Sequence, residues 1–215
     1  IAAITDKKRD TIRVAAYASI AMHWMPEILY RFRRVCPNID VDLRMVDNAI
    51  EPFELLEKGR TDVIFAAKQA GFSCDWTPLC QDAMYAILPP DYPLDGQETF
   101  PIEAFEGKEF LMPYGKFDLD VKAALSANNV KPKIRPCHVD DETVIRMVGK
   151  GLGLSMMAEM MIRGRTNGVT AVPIEPATGR ELGMGLHMRE SMPDGILRLR
   201  ECVLAFIGTL PGTES

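Results

Sequence analysis

The run Gly149-Lys150-Gly151-Leu152-Gly153 is the first place where spacing suggests chemistry, because glycine-rich turns can cradle phosphates. A dinucleotide loop needs its glycines after a strand and ahead of a helix, so that helix-start amides face the pyrophosphate. Here they follow a helical pattern and open a strand-like one, and no Gly-Lys-Ser/Thr triplet is present. A helix C-cap and tight turn is the better reading. His23, His138 and His187 are scattered, without HExxH or other close ligand spacing, so no metal site is expected. Cys137 and His138 are neighbours at the end of a predicted strand and point to opposite faces, which excludes a Cys–His catalytic pair. No GxSxG elbow supports a nucleophilic serine. Asp140, Asp141 and Glu142 begin a helix, where N-capping and interaction with the helix dipole account for them. Met156, Met157, Met160 and Met161 read as core filling. The sequence thus predicts a non-enzyme, with no catalytic residues and no cofactor.

What remains is positional, and it depends on the elements. Ile12 to Tyr17 is a short apolar strand, after which Ser19 offers a helix N-cap. Ile20, Trp24, Ile28, Phe32 and Val35 recur at helical spacing until Pro37. Ile39 to Val46 alternates as a strand, a short helix closes at Gly59, and Thr61 to Ala67 is a buried strand. This βαβαβ order is that of a parallel sheet covered by helices. After the strand Ala83 to Leu88, prolines and glycines punctuate the chain. A second set follows: strand Glu109 to Met112, helix Leu119 to Ala127, strand Lys133 to Cys137 and helix Asp141 to Gly149. Strand Leu154 to Met157, a short helix to Arg163, and strands Val169 to Pro173 and Leu182 to His187 complete it. A last helix carries Ile196, Leu199, Val203, Ile207 and Leu210 on one face and is expected to return to cover the first sheet.

In parallel sheets, ligands bind beyond the carboxyl ends of strands. Those turns are Tyr17 to Ala21, Ala66 to Gln69, Met112 to Phe117 and Cys137 to Asp141, which two domains can bring to one cleft. Ser19 would offer a hydroxyl, His138 a switchable donor, and Tyr114 and Phe117 apolar walls. Helix-start amides after Ser19 and near Phe117 would suit a carboxylate or phosphate.

Composition bounds these readings. With 215 residues, 47% hydrophobic and 26% charged, the chain is globular and large enough for one large domain or two small ones. No apolar run approaches a membrane span, and IAAITDKKRD is not a signal peptide, so no membrane association is expected. A net charge of −5 argues against a nucleic-acid surface on this segment, and Arg31, Arg33 and Arg34 read as one solvated helix face. Five cysteines without CxxC spacing fit free thiols in a reducing, cytoplasmic compartment, with a Cys74–Cys80 redox pair the lesser alternative. The missing initiator Met favours a fragment of something longer.

At this point the sequence resembles the effector-binding domain of LysR-type transcriptional regulators. The resemblance begins at TIRVAAYASIAMHWMPEILYRFRRVCPNIDVDLR, where Ser19 stands seven residues before Pro26, and Phe32, Arg33 and Pro37 have family counterparts. It continues through LLEKGRTDVIFAA and VDDETVIRMVGKGLGLSMMAEMM, covering nearly the whole chain in order. It implies an α/β fold of two Rossmann-like lobes joined by two crossover strands, like type 2 periplasmic binding proteins. Lobe I would be residues 11–82 plus 184–215 and lobe II residues 83–183, with 1–10 a linker remnant. It further implies a small organic effector, a carboxylate among the candidates, in the interlobe cleft. The contacts would be Ser19, Ile20 and Ala67 from lobe I, and Tyr114, Phe117, His138 and Val139 from lobe II. Ala67 departs from relatives with a charged or polar contact there, which favours a smaller or more apolar effector. The effector would bias the arrangement of the lobes and act on an N-terminal winged helix-turn-helix, the only part touching DNA, in a homodimer or tetramer. Arg31 and Arg34 would then lie near a partner chain. The alternatives are a transporter's solute-binding protein, which would need a secretory signal, and an enzyme on the same fold.

Overall fold

The structure, a computed structural model, describes residues 10–46, 48–114, 118–188 and 191–210. The chain divides into two compact units, residues 1–80 with 182–215 and residues 81–181. It passes from one to the other in strand β4 (Asp75–Leu88) and back in β10 (Gly179–Leu186).

In the first unit, β1 (Asp10–Tyr17) pairs in parallel with β2 (Ile39–Val46) and β3 (Val63–Ala67). The returning residues Leu182 to Leu186 of β10 pair antiparallel with β3. The five residues of β3 are all buried, as an apolar run at the centre of a covered sheet must be. The final helix α7 (Asp194–Ile207) buries Ile196, Leu199, Val203, Phe206 and Ile207 and packs along α2 (Met25–Val35). Phe206 meets the Trp24 ring edge-on, and the Arg31 guanidinium lies over the Phe206 ring, 5.7 Å from its centroid. Arg31 also pairs with Glu27, so it belongs to this packed seam rather than to a freely solvated face. A fork from Arg13 on β1 grips Asp62, with Nη2 2.7 Å from Oδ1 and Nε 3.0 Å from Oδ2, while the Arg13 amide also donates to Oδ2 at 2.9 Å. This ties β1 to the turn between helix α3 (Glu51–Glu57) and β3, a turn that Gly59 makes possible at φ +63°.

Two expectations for this unit fail. The helix after β1 is interrupted: α1 (Ala18–His23) ends at Trp24, and α2 starts at Met25 with Pro26 in its first turn. Proline has no N–H for the Met22 carbonyl and its ring would clash there, so one continuous helix is excluded. Ser19 is not the N-cap. Tyr17 holds that position, and the serine lies within the first turn of α1.

In the second unit, β4 pairs antiparallel with β8 (Ser155–Ala158) and β9 (Thr170–Glu175). Its other strands are β5 (Phe100–Pro101), parallel to β9, and the parallel pair β6 (Glu109–Met112) and β7 (Lys133–Pro136). A parallel bridge from Phe110 to Leu154 joins β6 to the start of β8. Alternation along the strands sorts the core into two layers. Ala86, Leu88, Phe110, Met112, Met156 and Ala158 face a cluster with Phe100, Phe105, Val121 and Leu125 from β5, the 3-10 turn Ile102–Phe105 and α4 (Leu119–Ala127). Ile87, Leu111 and Met157 face the other, with Val144, Ile145 and Val148 of α5 (Asp141–Val148) and Ile162 of α6 (Glu159–Ile162). β5 and the 3-10 turn are elements that the proline-rich sequence did not reveal. The glycine run behaves as a turn: Gly149 caps α5, Gly151 takes φ +74°, and Gly153 passes so close to β6 that a Cβ would meet the Glu109 carbonyl at 3.0 Å.

Candidate functional site

Four turns at the carboxyl ends of parallel strands carry the expected contact residues, two in each unit. In the first unit, β1 runs out at Tyr17, which starts α1 without a side-chain cap. Ser19 is 3% exposed, and its Oγ has no hydrogen-bond partner among the described residues. Ile20 beside it and Ala67 at the end of β3 are buried and apolar. A hydroxyl taken from water without a partner is costly, so this atom marks a place where the fold leaves polar capacity unused.

In the second unit the two turns are stitched together. The Cys137 amide donates to the Met112 carbonyl at 2.8 Å, and the Tyr114 amide donates to the Val139 carbonyl at 3.2 Å. Tyr114 holds this geometry at φ +50°, a left-handed conformation uncommon for a bulky side chain. His138 and Val139 are exposed on the second turn, while Cys137 is buried. Phe117 lies outside the described residues.

The start of α4 differs from expectation, while that of α5 is capped as its acidic run predicts. Asp118 caps α4, its Oδ1 accepting from the Val121 amide at 3.1 Å, and Asp140 caps α5, its Oδ1 accepting from Thr143 N at 2.9 Å. One amide at each start is thus already bound by the chain's own carboxylate, rather than free for a ligand anion. The hydrogen bonds from Thr143 hold the Asp140 carboxyl below its ordinary range. Asp141, next to it, is only 5% exposed. Burial pushes the Asp118 and Asp141 carboxyls up to about 6 each, and the charge of Asp118 adds to the rise at Asp141.

Behind these turns, Arg180 of β10 reaches Asp82 of β4 through Nε at 3.0 Å and Nη2 at 2.9 Å, and Asp120 of α4 through Nη1 at 3.3 Å. The other Asp82 oxygen accepts the Met160 amide at 3.0 Å. Sequence reasoning missed this network. Asp82 and Arg180 are far apart in the chain, and neither stands in a motif. Asp118 carries a local signal, a capping residue just ahead of a helical pattern, whereas nothing in the run Asp140 to Glu142 marks Asp141 as the buried member.

Among the described residues, no group of three or more His, Cys, Asp or Glu is arranged to hold a metal ion, and the five cysteines are free thiols. Among the described residues, no helix is long and apolar enough to cross a membrane.

Comparison with known proteins converges on one family. Residues 5–207 match the LysR substrate binding domain. The HTH-type transcriptional regulator TtuA of Agrobacterium vitis is 25% identical over 183 residues, 82% of this chain and 60% of that relative. The chain thus spans little more than half the length of the curated relatives it matches. Among solved structures, the CcmR regulatory domain of Synechocystis PCC6803 in complex with 2-PG has a TM-score of 0.80 at 18% identity, covering 94% of this chain and 100% of that one. The BenM effector-binding domain with its effector benzoate has a TM-score of 0.79 at 20% identity, covering 96% of each chain. These structures share the α/β fold of the type 2 periplasmic-binding-protein kind. From the match over nearly its full length and this shared fold, the chain belongs to the LysR substrate-binding (effector-binding) domain family, a regulator's domain and not an enzyme.

Proposed function

We propose that the domain senses a small organic effector held in the cleft between its two lobes. Ser19, Ile20 and Ala67 contact it from one lobe, and Tyr114, Phe117, His138 and Val139 from the other. The observation that carries this reading is the buried Ser19 hydroxyl, which has no partner among the described residues, just past the strand end where a parallel sheet offers its ligand position. A polar group of the effector would complete it, and the apolar Ile20 and Ala67 beside it favour a small ligand body. BenM with benzoate and CcmR with 2-PG are relatives in fold whose structures hold molecules of this size. The effector acts by differential affinity for two lobe arrangements, which biases an N-terminal winged helix-turn-helix that contacts DNA. The full regulator works in the cytoplasm as a homodimer or tetramer.

The test is a thermal-stability screen against a metabolite library that includes benzoate, shikimate and 2-PG. At least one compound is expected to raise the melting temperature of the wild type. Ser19→Trp, which fills the position, should abolish that shift. Unchanged affinity in Ser19→Trp would overturn the assignment.

A further inference from the structure

We propose that Asn167 is a site of covalent modification: it deamidates through attack by the Gly168 nitrogen in the exposed turn 166–169, and the product unseats that turn from the end of α5. The turn lies between α6 and β9. The Val169 amide donates to the Thr166 carbonyl at 3.3 Å, which leaves Asn167 and Gly168 as the two central residues. Both are exposed, and Gly168 takes φ +81° with open space where a Cβ would stand. Among the described residues, neither the Asn167 carboxamide nor the Gly168 N–H has a hydrogen-bond partner. Nucleophile and target are therefore neighbours, unengaged and in contact with water.

The reaction is redox-neutral and needs water alone. The Gly168 nitrogen gives up its proton and attacks Asn167 Cγ, forming an N–Cγ bond that closes a succinimide ring. The Cγ–Nδ2 bond breaks, and ammonia leaves with the proton. Water then opens the ring at one of two carbonyls. Attack at Cγ leaves Asp, and attack at the main-chain carbonyl leaves isoaspartate, whose backbone is one methylene longer. Holding both groups side by side makes the first step intramolecular, and a side chain on the following residue would obstruct it. The other asparagines lack this arrangement. Asn38, Asn48, Asn128 and Asn129 precede Ile39, Ala49, Asn129 and Val130, each of which has a Cβ. Asn48 Oδ1 also accepts the Ile50 amide, and Asn128 Nδ2 donates to the Ala124 carbonyl, both at 2.9 Å.

The surroundings of the turn decide what the modification does. A Cβ on Gly149, the C-cap of α5, would meet the Gly168 carbonyl oxygen at 2.6 Å, so turn and helix end approach through bare backbone. Immediately beyond the turn, Thr170 enters β9 and pairs with Leu88 of β4. An added methylene at 167 shifts the Gly168 carbonyl where packing leaves no slack on either side. A carboxylate on the exposed side chain alone does not.

The experiment ages the whole chain in warm, mildly alkaline buffer. Peptide mass spectrometry follows residue 167, and an isoaspartate-specific methyltransferase labels the rearranged product. Residue 167 is expected to convert ahead of the other asparagines, giving both Asp and isoaspartate, at a rate within about tenfold of that in the urea-unfolded chain. Asn167→Gln, which can close only a larger ring, should slow conversion at this position by about tenfold or more. The aged chain should melt at a lower temperature than the fresh one, whereas aged Asn167→Gln should keep its fresh value. Unaged Asn167→Asp, which adds the charge without the longer backbone, should melt with the fresh wild type. Conversion more than about tenfold slower in the folded chain than in urea would overturn the site. Faster conversion at any other asparagine would do the same. An aged chain rich in isoaspartate at 167 with an unchanged melting temperature would overturn the link to α5.

Discussion

Ser19 carries a cost in the ligand-free domain that a bound effector would offset. Removing a buried hydroxyl without a partner is close to neutral or mildly stabilising, because no hydrogen bond is lost and no desolvated polar atom remains. Ser19→Ala should therefore leave the ligand-free melting temperature unchanged or raised. The same change should weaken effector binding by roughly 5- to 10-fold, the equivalent of one lost hydrogen bond. Calorimetry with the compound found in the screen measures the second quantity. The opposite pattern, lost stability with full affinity, would make the serine a packing residue. Asp141 supplies a second residue-scale prediction. Its folded pKa, about 6, is above the ordinary 3.8, so the folded state binds the proton more tightly than the unfolded one. The stabilisation from that proton is fully present below the unfolded value and is lost as pH rises through about 6. Thermal melts should show stability declining between pH 4 and pH 7 from this cause, and Asp141→Asn should flatten the decline. At this scale the sequence was only partly readable. Ser19 and Tyr114 stand at strand ends that periodicity located. The grip of Arg180 on Asp82, 98 residues away, and on Asp120, 60 residues away, depends on distant elements meeting, which no local pattern encodes.

Elements were read best where the local signals agree. β6 and α4 have the expected limits because an apolar strand ends at Pro113 and a capping aspartate precedes the helical run. The run Gly149 to Gly153 reads correctly as a turn, because its order relative to helix and strand decides its role. Reading failed where two signals competed. Apolar periodicity runs through Trp24 while Pro26 breaks the backbone, and the proline prevails because the backbone clash and lost bond cannot be traded against side-chain packing. The segment after Leu88 read as irregular, yet it contains β5 and the 3-10 turn. Phe105 of that turn is fully buried, its ring 4.7 Å from Phe100 and 5.3 Å from Phe110. Phe105→Ala should cost the second unit about 3–5 kcal/mol, measured by denaturant unfolding. A loss under about 1 kcal/mol would mean that the turn is not part of the core.

At the scale of the whole molecule, the acidic balance, which spoke against a nucleic-acid surface, accords with an effector-binding domain of this family. The alternation of strands and helices made the fold class legible, since parallel pairing needs a covering helix between strands. The membership of the returning strand was legible only as a late strand and helix without partners of their own. The second unit is contiguous, residues 81–181, and both of its core layers are drawn from within that span. Expressed alone, 81–181 should unfold cooperatively, and a non-cooperative melt would show that it depends on the rest. The first unit has no such independence: β3 waits for Leu182 to Leu186, and α2 waits for α7. On a ribosome that order becomes a schedule. Residues 10–80 emerge ahead of the middle hundred and must hold an unfinished sheet edge and a bare helix face while those are made and fold. The returning strand and helix then complete a unit left open some hundred codons before, so a stall or truncation ahead of them would leave its earlier half without its covering partners.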